Sequence, residues 1–165
     1  MALVPAITDL EELKNHPAVA RLVTWNSEAV TGVKFDREEM TIYVNRDHIR
    51  EACAILKENS VCPFNFLSDV TCVDWYPSEP RFEVIYHLLS IPNKERVRLK
   101  VHLNSASPTV ESITSVWPGA NYFEREVFDL FGVRFTGHPY LRRILMPEDW
   151  EGHPLRKDYP VEGYR

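Results

Sequence analysis

The segment NYFEREVFDLFG, residues 121–132, constrains the fold most, because it has the pattern of one short amphipathic helix. Asn121 is suited to be its N-cap, with the acidic Glu124 three residues later, and Gly132 stands where helices often end in a left-handed residue. The sequence therefore predicts a helix that packs one apolar stripe on a core and turns its charged residues outward. The stripe has the i, i+4, i+7, i+8 spacing of one helix face: Phe123, Val127, Leu130 and Phe131.

The chain beyond this helix has no sustained period of a helix or a strand. Prolines interrupt it four times, and two similar elements, GHPYLRR and GHPLRK, contain most of its basic residues. A segment that is rich in Arg, Tyr and Trp but repeatedly broken by proline is poorly suited to form a core of its own. We therefore predict one α+β domain at residues 1–132 and an extended tail at residues 133–165 that lies along another protein.

The residues ahead of the helix predict a two-layer α+β sandwich, in which a mostly antiparallel sheet has helices on one face. The strand at the end of this region is the clearest, since apolar residues alternate with basic ones there. Thr8 is the predicted cap of the first helix, and Pro17 is expected to stop it. Helical patterns occupy residues 8–16 and 46–59, and strand patterns occupy residues 21–26, 29–35, 40–45, 67–76, 81–91 and 96–103.

Charge and cysteine content narrow the function classes. The net charge is −5 at pH 7, and acidic residues interleave with the basic pairs of the tail, so the chain lacks the field that a nucleic-acid binder needs. Three cysteines without a C-x-x-C spacing indicate a reducing compartment and neither a zinc nor an iron–sulfur site. We see no signal-peptide pattern and no apolar run of membrane-spanning length, and we expect membrane contact only through partners.

The charged residues of the 121–132 helix allow several interpretations. Glu124 and Glu126 point about 200° apart on a helix, so they do not face one another as an acid–base pair. Arg125 and Asp129 stand at i and i+4, and such a pair gains a few tenths of a kcal/mol. The alternatives are a solvent-exposed face, acid–base catalysis, and an interface in which Arg forks bind carboxylates of the tail or of a neighbour.

The run from Glu124 to Pro160, EREVFDLFGVRFTGHPYLRRILMPEDWEGHPLRKDYP, resembles the signature of a known family. It is similar to the 30-kDa subunit of respiratory complex I, which in bacteria is the C subunit of the proton-translocating NADH–quinone oxidoreductase. The similarity includes the E-R-E helix, both G-H-P elements and the closing L-R-K-D-Y-P. The preceding part of the chain is compatible with the family in length and in the order of its elements.

The resemblance implies a cofactor-free subunit of the hydrophilic peripheral arm, without an active site of its own, that packs against the 49-kDa quinone-site subunit. FMN and the iron–sulfur clusters would belong to partner subunits, and the complex would place the chain peripherally on the cytoplasmic side of a bacterial inner membrane. Related subunits occur in plastid-type NDH complexes and membrane-bound hydrogenases, so the electron donor and the quinone type stay open. A small soluble hydrolase, with the tail as a lid, is the alternative from a different class.

The predicted partner interface combines the helix and the tail, since aromatic and Arg side chains dominate interface energetics. Four charged residues of the tail are expected to pair either with charged groups on the quinone-site subunit or back onto the Glu124–Asp129 helix: Arg142, Arg143, Arg156 and Asp158. Truncation after Gly132 should leave a folded body that fails to join the complex. The predicted interface residues are Glu124, Arg125, Asp129, His138, Tyr140, Arg142, Arg143, Trp150, His153, Arg156, Lys157, Asp158 and Tyr159.

Overall fold

A five-stranded sheet forms the centre of the chain in a computed structural model, which describes residues 5–163. Its strands are β1 (Val30–Asp36), β2 (Glu39–Val44), β3 (Phe66–Asp74), β4 (Phe82–Ser90) and β5 (Glu95–Leu103). They lie in the order β1-β2-β5-β4-β3. The pair β2 and β5 is parallel and the other neighbours are antiparallel, which confirms the mostly antiparallel sheet.

The helices and a second, smaller sheet surround this centre. The smaller sheet pairs β6 (Thr109–Glu111) with β7 (Arg134–Thr136) in parallel. Short 3-10 turns occupy Ser27–Ala29 and Arg46–His48, and the second of these forms the start of the helix predicted at residues 46–59. The α-helices among residues 5–163 are α1 (Leu10–Leu13), α2 (Pro17–Trp25), α3 (Ile49–Lys57) and α4 (Ala120–Phe131).

One hydrophobic core joins the helices to one face of the large sheet. Leu99 and Val101 of β5 are fully buried, and they belong to the same cluster as Leu22 of α2, Leu56 of α3 and Val127 of α4. Because side chains alternate along a strand, the residues between them point to the opposite face of the sheet. The two-layer α+β prediction is thereby confirmed. The side chains on the outer face of β5 are basic: Arg96, Arg98, Lys100 and His102.

The first helix is shorter than predicted, and its cap is a different residue. α1 is a single turn, and Asp9 rather than Thr8 caps it, since the Asp9 carboxylate accepts a hydrogen bond from the N–H of Glu11 at 2.8 Å. A carboxylate at this position satisfies a donor that has no partner within the helix.

The second helix replaces a predicted strand. Pro17 is the first residue of α2 rather than a stop signal, because the first helical position needs no N–H donor and suits the fixed φ of proline. The prediction of a strand at residues 21–26 was therefore wrong. Ala18, Val19 and Leu22 are buried at helical spacing, and the strand interpretation began in the middle of this pattern.

The last helix ends as predicted but begins differently. α4 follows Gly119, no side chain caps its N-terminus, and Asn121 is the second residue inside the helix rather than the N-cap. The preceding turn accepts the first N–H groups through its own carbonyl oxygens. At the other end Gly132 adopts a left-handed φ of 75° and donates its N–H to the carbonyl oxygen of Phe128, which confirms the predicted C-terminal glycine.

The first residues of the predicted tail pack with the body. Val133 and Phe135 are buried in the core, and β7 pairs with β6. Residues 133–136 therefore lie within the folded body, because strand pairing and apolar burial compensate for their lack of a helical period. From residue 137 to residue 163 the chain forms only turns and irregular structure on the surface of the body.

No helix within residues 5–163 combines the length and the apolar composition that a membrane crossing requires.

Candidate interface formed by the last helix and the tail

Asp129, near the end of α4, makes more hydrogen bonds to the tail than any other residue of that helix. Its fully buried carboxylate accepts a bond of 2.6 Å from Arg143 and bonds from three successive backbone N–H groups. Burial alone would raise the pKa of Asp129, but these donors outweigh it and hold the pKa below its usual value. Asp129 thus fixes one turn of the tail against the helix. The three N–H groups belong to Ile144 at 3.0 Å, Leu145 at 2.8 Å and Met146 at 2.9 Å.

Arg143 joins this turn to the next one. Besides the carboxylate and the carbonyl oxygen of Asp129, its guanidinium binds the carbonyl oxygens of Trp150 at 2.8 Å and Gly152 at 2.9 Å. The five donors of a guanidinium make such multiple contacts possible. The two predicted partners of Arg143 were the quinone-site subunit and the helix, and in the free chain Arg143 binds the helix.

Arg125 binds the backbone of the tail rather than a carboxylate. Its Nε and Nη2 donate to the carbonyl oxygens of Arg142 at 3.1 Å and Arg143 at 2.9 Å. The i, i+4 ion pair with Asp129 that the sequence predicts is not among the ion pairs of the described residues, because the Asp129 carboxylate is buried against the tail. Arg125 therefore also fastens the tail to α4.

Tyr140 and Arg142 remain on the surface. The Arg142 guanidinium stacks 4.5 Å from the Tyr140 ring centroid, and its ion pair with Glu148 spans 3.6 Å between exposed side chains. An ion pair in such a position contributes little to stability. Both side chains are thus accessible at the surface of the free chain.

Glu124 faces the core, contrary to the expectation of an outward-facing charge. Its carboxylate is fully buried and accepts hydrogen bonds from the hydroxyl of Ser112 at 2.6 Å and the N–H of Ile113 at 2.7 Å. Burial raises the pKa of Glu124 from 4.5 to about 7, against the opposing effect of these two donors. Glu124 thus fastens α4 to the segment that follows β6, and it does not lie on an outer interface.

The two histidines of the G-H-P elements also bind α4. His138 bonds the carbonyl oxygen of Asn121 through Nε2 at 3.2 Å, and its Nδ1 accepts from the N–H of Tyr140 at 3.0 Å. His153 bonds the carbonyl oxygen of Asp129 through Nδ1 at 2.8 Å. Burial lowers the pKa of both imidazoles, so the neutral forms are favoured in the fold. The two similar elements therefore have the same role, which is to attach successive turns of the tail to one helix.

Arg156 covers the C-terminal end of α4. Its Nε donates to the carbonyl oxygen of Phe131 at 2.6 Å, where helices leave carbonyl groups without partners. A side chain added at Gly132 would collide with both Arg156 and His153. Gly132 is therefore required by its left-handed φ and by the close approach of the tail.

A second attachment lies at the end of β3, where the predicted interface residue Asp158 binds Arg81 of its own chain rather than the helix. Arg81 binds Asp74 through Nε and Nη2, both at 2.9 Å, and binds Asp158 at 2.9 and 2.6 Å. The N–H of Lys157 also donates to Asp74 at 2.9 Å. Burial opposes the ionisation of Asp74, but Arg81 and the backbone donors lower its pKa to about 2. No sequence pattern could have revealed this group, because Arg81 and Asp158 stand 77 positions apart.

The remaining predicted residues, Trp150 and Tyr159, lie together in the tail. They line a cavity of about 470 Å³ with several acidic and small neighbours. Trp150 is partly exposed, and its backbone carbonyl is held by Arg143. The further residues around this cavity are Pro147, Asp149, Glu151, Glu162 and Gly163.

Within residues 5–163 no group of three or more His, Cys, Asp or Glu side chains has an arrangement that could hold a metal ion. The three cysteines are buried free thiols. Burial raises the pKa of Cys72 to about 12 and raises the pKa of Cys53 even further, so neither thiol is activated as a nucleophile or ligand.

Comparisons with known proteins agree on one family. A model of the family described as the respiratory-chain NADH dehydrogenase, 30 Kd subunit, matches residues 42–165. The C subunit of the NADH-quinone oxidoreductase of Roseiflexus sp. (strain RS-1) is 48% identical over 149 residues, which are 90% of this chain and 86% of that protein. The corresponding C subunit of Geobacter sulfurreducens is 46% identical over 151 residues, 91% of this chain and 92% of that protein.

Solved structures support the same assignment. A trypsin-resistant fragment of Nqo5 aligns with a TM-score of 0.54 and 32% identity, over 62% of this chain and 83% of the fragment. A chain in the membrane-bound sulfane sulfur reductase, an archaeal respiratory membrane complex, aligns with a TM-score of 0.74 and 27% identity, over 90% of this chain and 86% of that chain. The chain therefore belongs to the family of the 30-kDa subunit of the respiratory-chain NADH dehydrogenase, which includes the C subunits of the NADH-quinone oxidoreductases.

Proposed function

We propose that this chain is a cofactor-free structural subunit of the peripheral arm of a proton-translocating NADH:quinone oxidoreductase. In this role it packs against the 49-kDa quinone-site subunit, beside iron–sulfur subunits, and supports electron transfer from NADH to quinone without an active site of its own. The observation that carries the proposal is the tail, which is attached to the body at many points and still directs large apolar side chains outward.

The exposed apolar side chains of the tail support a docking role. Apolar residues that remain exposed on a folded surface often mark sites of protein interaction. Here the backbone that carries them is held by Asp129, Arg143 and Arg81, so their positions are set before any partner arrives. The side chains are Tyr140, Ile144, Leu145, Trp150, Leu155 and Val161.

The charged residues of the tail fall into two roles under this proposal. Arg143, Arg156 and Asp158 bind groups of their own chain, so they act by holding the tail in its docking shape. Arg142 and Lys157 keep their charged ends at the surface, where a partner can reach them. A docking segment that is already ordered loses less conformational entropy on binding than a disordered one.

Co-purification with the neighbouring subunits tests the docking role. Truncation after Gly132 is unsuitable, since it would remove the core residues Val133 and Phe135. A better variant combines Leu145→Ser and Leu155→Ser, which alters only exposed side chains of the tail. The matched control combines two substitutions of exposed apolar residues at the opposite end of the β3–β4 pair, Val61→Ser and Ile91→Ser.

We expect the tail variant to fold but to be lost from the complex, and the control to be retained. Equal recovery of the tail variant and the unmodified chain would refute the docking role. Loss of both variants would mean that the effect is not specific to the tail.

In this role the chain holds neither FMN nor an iron–sulfur cluster, and both kinds of cofactor belong to partner subunits. The chemistry of the buried, un-ionised cysteines supports this, because clusters are held by thiolates. The purified chain should show no flavin or iron–sulfur absorption. A stoichiometric spectrum of either group would contradict this part of the proposal.

The proposed location is the cytoplasmic side of a bacterial inner membrane, with attachment through partner subunits. Membership in a family of NADH-quinone oxidoreductase subunits supports this location. Cell fractionation after deletion of the partner subunits should move the chain from the membrane to the soluble fraction. Continued membrane attachment would count against it.

A second candidate is the equivalent subunit of another respiratory membrane complex. The alignment with a chain of the archaeal sulfane sulfur reductase, at a TM-score of 0.74, favours it. Membranes from a strain that lacks this chain distinguish the two. Loss of NADH:quinone activity is expected from the first proposal, whereas unchanged NADH oxidation would favour the second.

A further inference from the structure

The loop between β3 and β4 displays two large aromatic side chains beside the tail. Trp75 and Tyr76 are adjacent in sequence and about half exposed, at 48% and 47%. Exposed aromatic residues on a loop usually lose entropy when they bind, and this loss lowers affinity. A loop that is already ordered before binding avoids this loss.

The contacts of the loop show that its backbone is fixed from both sides. The N–H of Trp75 donates to the carbonyl oxygen of Arg81 at 2.7 Å, and the N–H of Tyr76 donates to the carboxylate of Asp74 at 3.0 Å. Asp74 is itself held by two bonds from Arg81, whose guanidinium lies 4.9 Å from the Tyr76 ring centroid. Because the same guanidinium binds the half-exposed Asp158, the tail and the loop share one charge cluster.

The tail also adds a positive charge to this aromatic pair. The Lys157 ammonium lies 5.9 Å from the Trp75 ring centroid, and among residues 5–163 it has no ion pair. The charges of Arg81 and Arg156 in the cluster beneath are balanced by Asp74 and Asp158. The carboxylate of Glu79, in the same loop, accepts hydrogen bonds from the N–H groups of Arg81 and Ser105. A carboxylate of a partner is therefore the group that complements the Lys157 ammonium.

We infer that Trp75, Tyr76 and Lys157 form a second part of the docking surface, which fits a partner protein with an apolar pocket bordered by a carboxylate. This inference rests on the proposed function, since the partner is the subunit that receives the tail. Trp and Tyr side chains that are preorganised at an interface are typical of the few residues that carry most of the binding energy, and a charge such as that of Lys157 contributes mainly to the choice of partner. The surface therefore extends from the tail onto the body.

Binding of purified variants to the partner subunits tests the inference. Trp75→Ala should weaken binding about 30-fold, as truncation of a central aromatic residue does. Lys157→Glu should also weaken binding, and Lys157→Arg should keep it close to that of the unmodified chain. Matched controls at the opposite end of the β3–β4 pair are Phe66→Ser, which is also 48% exposed, and Lys94→Glu in the exposed turn after β4.

The outcomes separate this inference from the proposed function. Normal binding by Trp75→Ala and Lys157→Glu, together with loss of the Leu145→Ser and Leu155→Ser variant, would overturn the inference and leave the docking tail in place. Normal binding by all these variants would overturn both. If Phe66→Ser and Lys94→Glu weaken binding as much, the surface is not at the tail end of the sheet and the inference is wrong. Weak binding by Trp75→Ala with normal binding by Lys157→Glu would refute the carboxylate in the partner site.

Discussion

The buried carboxyl group of Glu124 should make the stability of this protein depend on pH in an unusual direction. Its environment contains two hydrogen-bond donors, Ser112 and Ile113, and the imidazole of His138 with its Nε2 at 4.0 Å. His138 is already bonded to backbone groups through both ring nitrogens. The buried hydroxyl of Tyr86, which has no hydrogen-bond partner among residues 5–163, is close enough for the Glu124 charge to raise its pKa.

The direction follows from proton linkage. The folded protein holds the Glu124 proton with a pKa of about 7, whereas the unfolded chain releases it near 4.5. Between these values the folded state binds more protons, so the free energy of unfolding decreases as the pH rises. The contribution of Glu124 is fully present below about pH 4.5 and is lost as the pH rises through about 7. At about 1.36 kcal/mol per pKa unit, the difference is about 3 kcal/mol.

Glu124→Gln removes this titration and keeps the shape of the side chain. The Gln carbonyl oxygen can accept from the N–H of Ile113, and its amide can donate to the hydroxyl oxygen of Ser112. We expect the variant and the unmodified protein to be about equally stable at pH 4.5, and the variant to be more stable by about 3 kcal/mol at pH 8. All other ionisable groups are present in both proteins, so the difference reports on Glu124.

Denaturant unfolding followed by circular dichroism, at a series of pH values, measures this difference. Glu126→Gln, on the exposed side of the same helix, is the matched control, because it makes the same substitution outside the core. A constant difference between Glu124→Gln and the unmodified protein from pH 4.5 to pH 8 would show that the carboxyl group does not titrate in this range. Lower stability of the variant at pH 8 would refute the reasoning outright.

Three further experiments test the attachment of the tail. Asp129→Asn breaks a buried charged network, so it should reduce the free energy of unfolding by about 3–5 kcal/mol and speed tryptic cleavage after Arg142 and Arg143. The control Asp149→Asn changes an exposed residue and should have neither effect. Gly132→Ala should lower the free energy of unfolding by about 2 kcal/mol in thermal unfolding, because Gly132 has a left-handed φ and an added side chain collides with His153 and Arg156. The control Gly119→Ala has a negative φ and open space around it, so it should not destabilise the protein. Double-mutant cycles should find a coupling energy of a few kcal/mol between Arg81 and the buried Asp74, but below about 1 kcal/mol between Arg81 and the half-exposed Asp158. Equal coupling energies would show that burial does not set the strength of these ion pairs.

Local patterns predict the elements whose signal lies within a few residues. The strand β5 is evident because apolar and basic residues alternate along it, and Gly132 is identified because helices commonly end in a left-handed residue. The same method fails at α2, because Pro17 is suited both to stop one helix and to begin the next. The role of such a proline is decided by the residues that pack around it in the fold, and the local sequence does not specify them.

The charged residues of α4 show a second kind of limit. Helical periodicity predicts an outward position for Glu124 and Asp129, and both are fully buried. Their burial is possible because other parts of the chain supply donors: the segment after β6 for Glu124 and the turn at residues 144–146 for Asp129. Helical periodicity contains no information about those donors, since they come from outside the helix.

The sequence by itself determined the α+β class, most strands, the end of the last helix and the resemblance to the 30-kDa family, because these depend on residue types at short spacing. The tertiary structure alone decided which charges are buried, which of them attach the tail to its own chain, and which remain exposed at the surface. Arg81 shows the reason: it binds Asp74 and Asp158 at once, and only the folding of β3, β4 and the tail brings these distant residues together. Hydrogen-bond partners that are far apart in sequence become neighbours through the fold, and no local pattern specifies them.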